Sequence, residues 1–122
     1  MSDSSLLHKT VFRKGFVFIQ SDLDIEELGK LISQRLVGGL PFDGLDHYIR
    51  DEIPAIYIKD ILGCRLILQG FPGEMGYNLV LEEGPFPHQL FEKEGQSPLE
   101  VDISGNLYWL LQDLEGISVS LE

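Results

Sequence analysis

The feature that most constrains the fold is a run of three β-rich stretches, at residues 55–59, 64–69 and 77–82, joined by short turn-forming segments. The third stretch alternates in the manner of a half-buried strand: Tyr77, Leu79 and Leu81 stand at every second position. Connections this short join antiparallel neighbours. The run therefore predicts an antiparallel meander, in which the glycines at 70, 73 and 76 serve a hairpin, not a phosphate-binding loop.

A helix is predicted over residues 22–37, ahead of the meander. Ser21 is a favourable N-cap, and Asp24 three residues later resembles the second half of a capping box. Apolar residues recur at helical spacing and would form one buried face: Ile25, Leu28, Leu31, Ile32 and Leu36. Gly38 and Gly39 end the helix.

Four further elements complete the predicted fold. Residues 10–19 read as a strand in which Gly15 marks a turn or bulge, and 99–103 and 117–121 read as short strands. Ser104 is expected to cap a second helix that runs to about Glu115 and buries four leucines, Leu107, Leu110, Leu111 and Leu114. The fold class is therefore α+β: a mainly antiparallel sheet with two principal helices packed on it.

The length of 122 residues argues for a single globular domain over residues 1–122, with residues 1–8 expected to be mobile. No stretch has the apolar length of a signal peptide or a membrane span, so we expect a cytoplasmic protein with no membrane partner. Cys64 is the sole cysteine, which excludes an internal disulfide, and we expect its side chain to be buried in a strand.

Acidity is the clearest functional signal. The net charge is −11, from 20 acidic and 9 basic residues, and residues 74–122 contain a single base, Lys93. Such a surface repels nucleic acid and anionic membranes, and it attracts basic partners. The excess exceeds the net charge of magnitude roughly 2–8 that solubility requires of a small domain. We therefore expect a basic protein as partner and no direct nucleic-acid binding.

The sequence contains no recognisable catalytic motif, so we expect no enzyme activity and no cofactor. The three histidines (His8, His47 and His88) are far apart, and none has a second ligand at metal-binding spacing. One segment keeps an alternative open, since the acids of 43–52 with His47 resemble paired carboxylates beside a general base. A small hydrolase built on that segment, or a Mg²⁺ or Ca²⁺ site there, remains an alternative to a solvated, protein-binding loop.

Predicted binding residues are acids in loop or loop-edge segments, together with a neighbouring tyrosine. They are Asp43, Asp46, Tyr48, Asp51, Glu52, Glu74, Glu82 and Glu83. Aromatic residues in the same segments are either interface anchors or core, and core is the favoured interpretation for most of them: Phe42, Phe71, Tyr77, Phe86 and Phe91.

Residues 15–83 resemble immunity proteins of bacterial contact-dependent growth inhibition and related polymorphic toxin systems. The pattern around GGLPF, DEIPAIY and LQGF carries the resemblance. It implies a cytoplasmic protein that binds the C-terminal domain of its cognate toxin and blocks that domain's active site or substrate surface. Many such toxins are nucleases with basic grooves, which agrees with the partner that the charge predicts. A regulatory module for another basic protein is the remaining alternative.

Overall fold

A computed structural model describes residues 11–44, 53–83 and 99–121. These residues form six strands and two helices in chain order: β1 (Val11–Ser21), α1 (Ile25–Leu36), β2 (Ala55–Ile61), β3 (Cys64–Phe71), β4 (Gly76–Glu83), β5 (Leu99–Asp102), α2 (Ser104–Leu111) and β6 (Ile117–Ser120). All six strands join one mainly antiparallel sheet, so the predicted α+β class is confirmed.

The meander β2–β3–β4 forms as predicted, and β1 completes the order β2-β3-β4-β1-β5. Cross-strand pairs such as Ile56 with Leu68 and Leu68 with Leu79 set its register. β1 is long enough to pair with two strands on its second edge: its first half runs parallel to β5, and its last residues run antiparallel to β6. β1 is therefore the strand that joins the meander to the C-terminal segment.

The cap of α1 differs from the prediction. Asp24, not Ser21, is the N-cap, and its side chain accepts a hydrogen bond from the Glu27 amide at 2.8 Å. Ser21 instead ends β1, where its hydroxyl donates to the Gly116 carbonyl oxygen at 2.7 Å and accepts from the Leu23 amide. The prediction was wrong because two good capping residues stand three positions apart, and the β1–β6 pairing occupies the first.

Three predictions that concern α2 or its contact with β1 were also wrong. The helix ends at Leu111, well before Glu115, and Ser104 is its first residue instead of its cap. Gly15 marks neither a turn nor a bulge, since it pairs with Leu81 inside a continuous β1. A Cβ at position 15 would stand 2.8 Å from the Leu107 side chain. Glycine is there because α2 packs directly on the strand.

The core lies between one face of the sheet and the two helices. The strands contribute residues at alternate positions, among them Val17, Ile19, Leu66, Leu68 and Leu79, and α1 contributes Leu28 and Ile32. α2 contributes Leu107 and Leu111 to the same core. Neither described helix has the length and apolar character needed to cross a membrane.

Candidate protein-binding surface

The predicted binding residues divide into two groups. Asp46, Tyr48, Asp51 and Glu52 lie outside the described residues, as do His47, Phe86, Phe91 and residues 1–8. The hydrolase alternative therefore concerns a segment of which the structure describes little beyond Asp43. The four acids that the structure does place, Asp43, Glu74, Glu82 and Glu83, have different surroundings.

Asp43, Glu74 and Glu82 are exposed. Asp43 forms a backbone bridge to Tyr57 of β2, with its amide 2.7 Å from the Tyr57 carbonyl oxygen. Glu74 lies in the β3–β4 turn, and Glu82 lies near the far end of β4 opposite Arg65. Six strand residues separate Glu82 from the start of β4, roughly 20 Å along an extended chain. Glu74 and Glu82 therefore do not share one compact site.

Glu83 has an internal partner that the sequence pattern does not indicate. Its carboxylate accepts from the Arg13 Nε at 2.7 Å and from the Arg13 amide at 2.8 Å, and its side chain is only 7% exposed. Burial raises the pKa of the Glu83 carboxyl, but the hydrogen bonds from Arg13 outweigh burial, so the pKa is lowered. In this conformation the Glu83 carboxylate ties β4 to the start of β1.

The same ion pair affects Cys64, the one cysteine of the chain. Cys64 is buried, as predicted. Burial raises the pKa of its thiol, and this outweighs the opposing influence of the Arg13 charge. The thiol is therefore the neutral form at physiological pH, which is typical of a structural cysteine and not of a nucleophile.

Of the aromatic residues considered as interface anchors, two prove to be packed inside. Tyr77 is fully buried, and its hydroxyl donates to the Leu23 carbonyl oxygen at 2.7 Å. Phe42 is partly buried against the core and lies beside Gly29 of α1. The core interpretation is confirmed for Tyr77 and agrees with the position of Phe42.

An exposed apolar surface lies on α2. Trp109 is 70% exposed and Leu110 is 38% exposed, and both line one hollow. Leu107 and Leu111 face the core, and Trp109 stands two positions from each, about 200° around the helix. The indole therefore points away from the core. We call Trp109 and Leu110 the α2 surface.

Trp109 was not among the predicted binding residues, because the helical spacing was taken to bury four leucines on one face. A signal was present: the helical spacing that buries Leu107 and Leu111 places the chain's sole tryptophan on the opposite side. Leu110, grouped with the buried leucines by the prediction, is among the exposed large apolar residues, whereas Leu114 does pack against the core.

The segment that carries the α2 surface is acidic. Residues 99–121 include Glu100, Asp102, Asp113 and Glu115 and contain no Lys, Arg or His. The Asp102 carboxylate accepts from the Ser104 hydroxyl at 2.6 Å and from the Ser104 amide at 2.9 Å. These hydrogen bonds, the hydroxyl's foremost, lower the pKa of Asp102, so its carboxylate stays charged at neutral pH.

A hollow of about 430 Å³ opens on the α2 surface. Its lining combines a carboxylate, an amide, an indole and the bare backbone of a glycine: Asp102, Asn106, Trp109, Gly105 and Leu110. The end of α2 is held in place by Arg35 of α1, whose guanidinium donates to the Asp113 carboxylate at 3.0 Å and to the Leu110 carbonyl oxygen at 3.1 Å. The hollow therefore belongs to an anchored helix.

Two larger hollows lie elsewhere, each of about 480 Å³. One separates α1 from residues 39–44 and is mainly apolar, with Phe42 and Ile56 at its base. The other lies where β1, the β3–β4 turn and β6 meet, with Asp22 and Glu74 on its rim. Over the described ranges, no group of three or more His, Cys, Asp or Glu side chains is arranged to hold a metal ion.

The α2 surface thus lies beside a hollow that joins an exposed indole to a carboxylate in an acidic segment. None of the protein families, curated proteins or solved structures compared with the chain matches it.

Proposed function

We propose that this chain is an immunity protein, which binds a cognate basic toxin domain in the cytoplasm and neutralises it by covering its active site or substrate surface. The observation that carries the binding role is the exposed Trp109, set among apolar neighbours in a segment without a basic residue. The toxin as partner rests on the resemblance of residues 15–83 to immunity proteins.

An exposed tryptophan is a strong indicator of a binding surface. Tryptophan is enriched among the residues that dominate binding energy, because its large ring loses much hydration on contact and little conformational entropy. Leu110, which lines the same hollow, extends the apolar area beside it. The acids of this segment resemble a polar rim, which excludes water from the centre of a contact and selects the partner by charge.

The charge of the molecule favours a basic partner over any other. A net charge of −11 attracts a basic groove from a distance and opposes binding to nucleic acid. A toxin that acts on nucleic acid presents such a groove. An acidic protein seated in it would exclude the substrate, so inhibition would follow from occupation of the surface, with no chemistry needed from the inhibitor.

The test is co-expression with the toxin domain encoded beside this chain, with growth and complex formation as readouts. We expect protection from the toxin and a complex that survives purification. Trp109→Ala should raise the dissociation constant at least tenfold, since loss of a central tryptophan costs about 2 kcal/mol or more.

A matched control is Leu62→Ala, which removes an apolar side chain that is 85% exposed in the β2–β3 turn and is not part of the α2 surface. It should leave the dissociation constant unchanged. Absence of both complex and protection would refute the proposed function. Equal affinities for Trp109→Ala and wild type would remove the α2 surface from the interface.

A further inference from the structure

We infer that the hollow on the α2 surface is a receptor for an arginine side chain, with the guanidinium stacked on the Trp109 indole and paired with the Asp102 carboxylate. The inference deepens the proposed function by naming how a basic partner is recognised. Its physical basis is the hollow itself, so it is testable without the toxin.

The lining offers each kind of contact that a guanidinium makes. The indole of Trp109 supplies a π face that attracts a cation, and tryptophan is the best of the aromatic residues for this purpose. Asp102 supplies a carboxylate, and the Asn106 side chain supplies an amide oxygen as acceptor. Leu110 borders the hollow with apolar surface against which the methylene groups of an arginine can pack.

Gly105 keeps the hollow open. It stands one helical turn before Trp109, and a Cβ built at position 105 meets no atom within 4 Å. The backbone at this position does not have a positive φ, so its conformation is open to any residue. Packing within the described residues therefore does not require a glycine at position 105. At position 15 it does, because the Leu107 side chain of α2 lies close to the strand there.

A cation at the N-terminal end of α2 would be attracted by Asp102, whose carboxylate is also influenced by the charge of Lys14. The first turn of a helix carries a partial positive charge, which by itself would repel a guanidinium from the N-terminal end of α2. Asp102 stands at that end with a full negative charge, and its Oδ1 accepts both hydrogen bonds from Ser104. Its Oδ2 has no hydrogen-bond partner among the described residues and remains available to a ligand.

Arginine fits this lining better than lysine does. A guanidinium is planar, stacks on an indole and is weakly hydrated, so its transfer into a partly apolar hollow costs less than that of an ammonium group. It also donates in a fork that can reach a carboxylate and an amide at once. An ammonium group has charge but no plane to stack. The hollow should therefore discriminate between two peptides of equal charge.

The experiment uses hexa-arginine and hexa-lysine peptides as probes and the emission of Trp109, the chain's sole tryptophan, as readout. We expect hexa-arginine to change the emission and to protect the indole from acrylamide quenching, with at least fivefold higher affinity than hexa-lysine. Equal effects of the two peptides, or binding that leaves the emission and quenching unchanged, would overturn the inference.

Two variants test the lining. Gly105→Leu fills the hollow without meeting another atom at its Cβ, and it should weaken hexa-arginine binding at least fivefold. Asp102→Asn removes the charge but keeps a side-chain oxygen that can accept the hydrogen bonds from Ser104, and it should do the same. Circular dichroism and the melting temperature verify that both variants fold, and Leu62→Ala serves as the control expected to bind as wild type does.

The two proposals fail in different ways. If the toxin complex forms but Gly105→Leu and Asp102→Asn leave hexa-arginine binding unchanged, the arginine receptor is refuted and the proposed function stands. If hexa-arginine binds in the hollow as described but the toxin domain is neither bound nor neutralised, the receptor stands and the partner is another arginine-bearing protein.

Discussion

At the scale of single residues, Tyr77 is the clearest case of a group whose environment sets its behaviour. Its ring is fully buried, and burial, with a smaller contribution from the charge of Asp24, raises the pKa of Tyr77 to about 12. The fold thus favours the neutral phenol. Its contribution to stability is complete below the ordinary pKa of 10.0 and is lost as the pH rises through about 12.

Tyr77→Phe should therefore show a pH-dependent effect. At pH 7 the loss of the hydrogen bond to Leu23 should lower the free energy of unfolding by about 1–2 kcal/mol. At pH 11 the difference from wild type should shrink by about 1 kcal/mol, because only the wild type must keep a buried phenol neutral. Urea unfolding at both pH values measures this, and a difference that is constant with pH would contradict it.

Glu83 and Glu82 form a natural comparison, since adjacent positions of β4 place one carboxylate in an ion pair and the other in solvent. Glu83→Gln should lower the free energy of unfolding by about 1–2 kcal/mol, because Arg13 loses its charged partner. Glu82→Gln should change it by less than about 0.5 kcal/mol, as expected for an exposed residue.

The pH dependence of this pair has the opposite sign to that of Tyr77. The pKa of Glu83 is lowered, so its contribution is present above the ordinary value of 4.5 and is lost as the pH falls through the lower value of the folded state. The gap between Glu83→Gln and wild type should accordingly close in acid. Thermal unfolding at pH 7 and pH 3 tests this. An equal difference in stability between Glu83→Gln and wild type at both pH values would show that Arg13 does not stabilise the charged carboxylate of Glu83.

At the scale of elements, two glycines with different backbones predict opposite outcomes. Gly70 has φ +132°, and a Cβ there would stand 2.3 Å from the Gly76 carbonyl oxygen across the β3–β4 hairpin. Gly70→Ala should lower the free energy of unfolding by about 2–4 kcal/mol, because the clash is with backbone. Gly105→Ala should raise it by up to about 1 kcal/mol, since alanine favours a helix.

Denaturant unfolding of both variants measures the two changes. A stabilised Gly70→Ala would mean that the hairpin register is not the one described, and a destabilised Gly105→Ala would mean that position 105 is in contact with a neighbour. The two glycines differ in what the local sequence predicts about them. The hairpin role of Gly70 was predictable from its turn-rich surroundings, whereas the effect of a side chain at position 105 follows only from the open space around it.

At the scale of the whole molecule, charge should govern the rate at which the complex forms. If the partner is basic, the association rate should fall roughly tenfold between 50 and 500 mM NaCl, because salt screens the attraction that steers the encounter. The dissociation rate should change much less, since contacts such as that of Trp109 are short-ranged. Stopped-flow fluorescence measures both rates, and an association rate independent of salt would argue against steering by the acidic surface.

The sequence by itself determined the elements and the charge. The meander, the helix ended by Gly38 and Gly39 and the α+β class follow from periodicity and turn chemistry, which act over a few residues, and acidity is a property of composition. The tertiary structure decided which groups meet. Gly15 is a contact for α2, Glu83 is bound by Arg13 some seventy residues away, and Trp109 is left exposed because the leucines beside it bury α2's other face. The reason is that contacts between distant segments depend on packing and strand order, which no local pattern encodes.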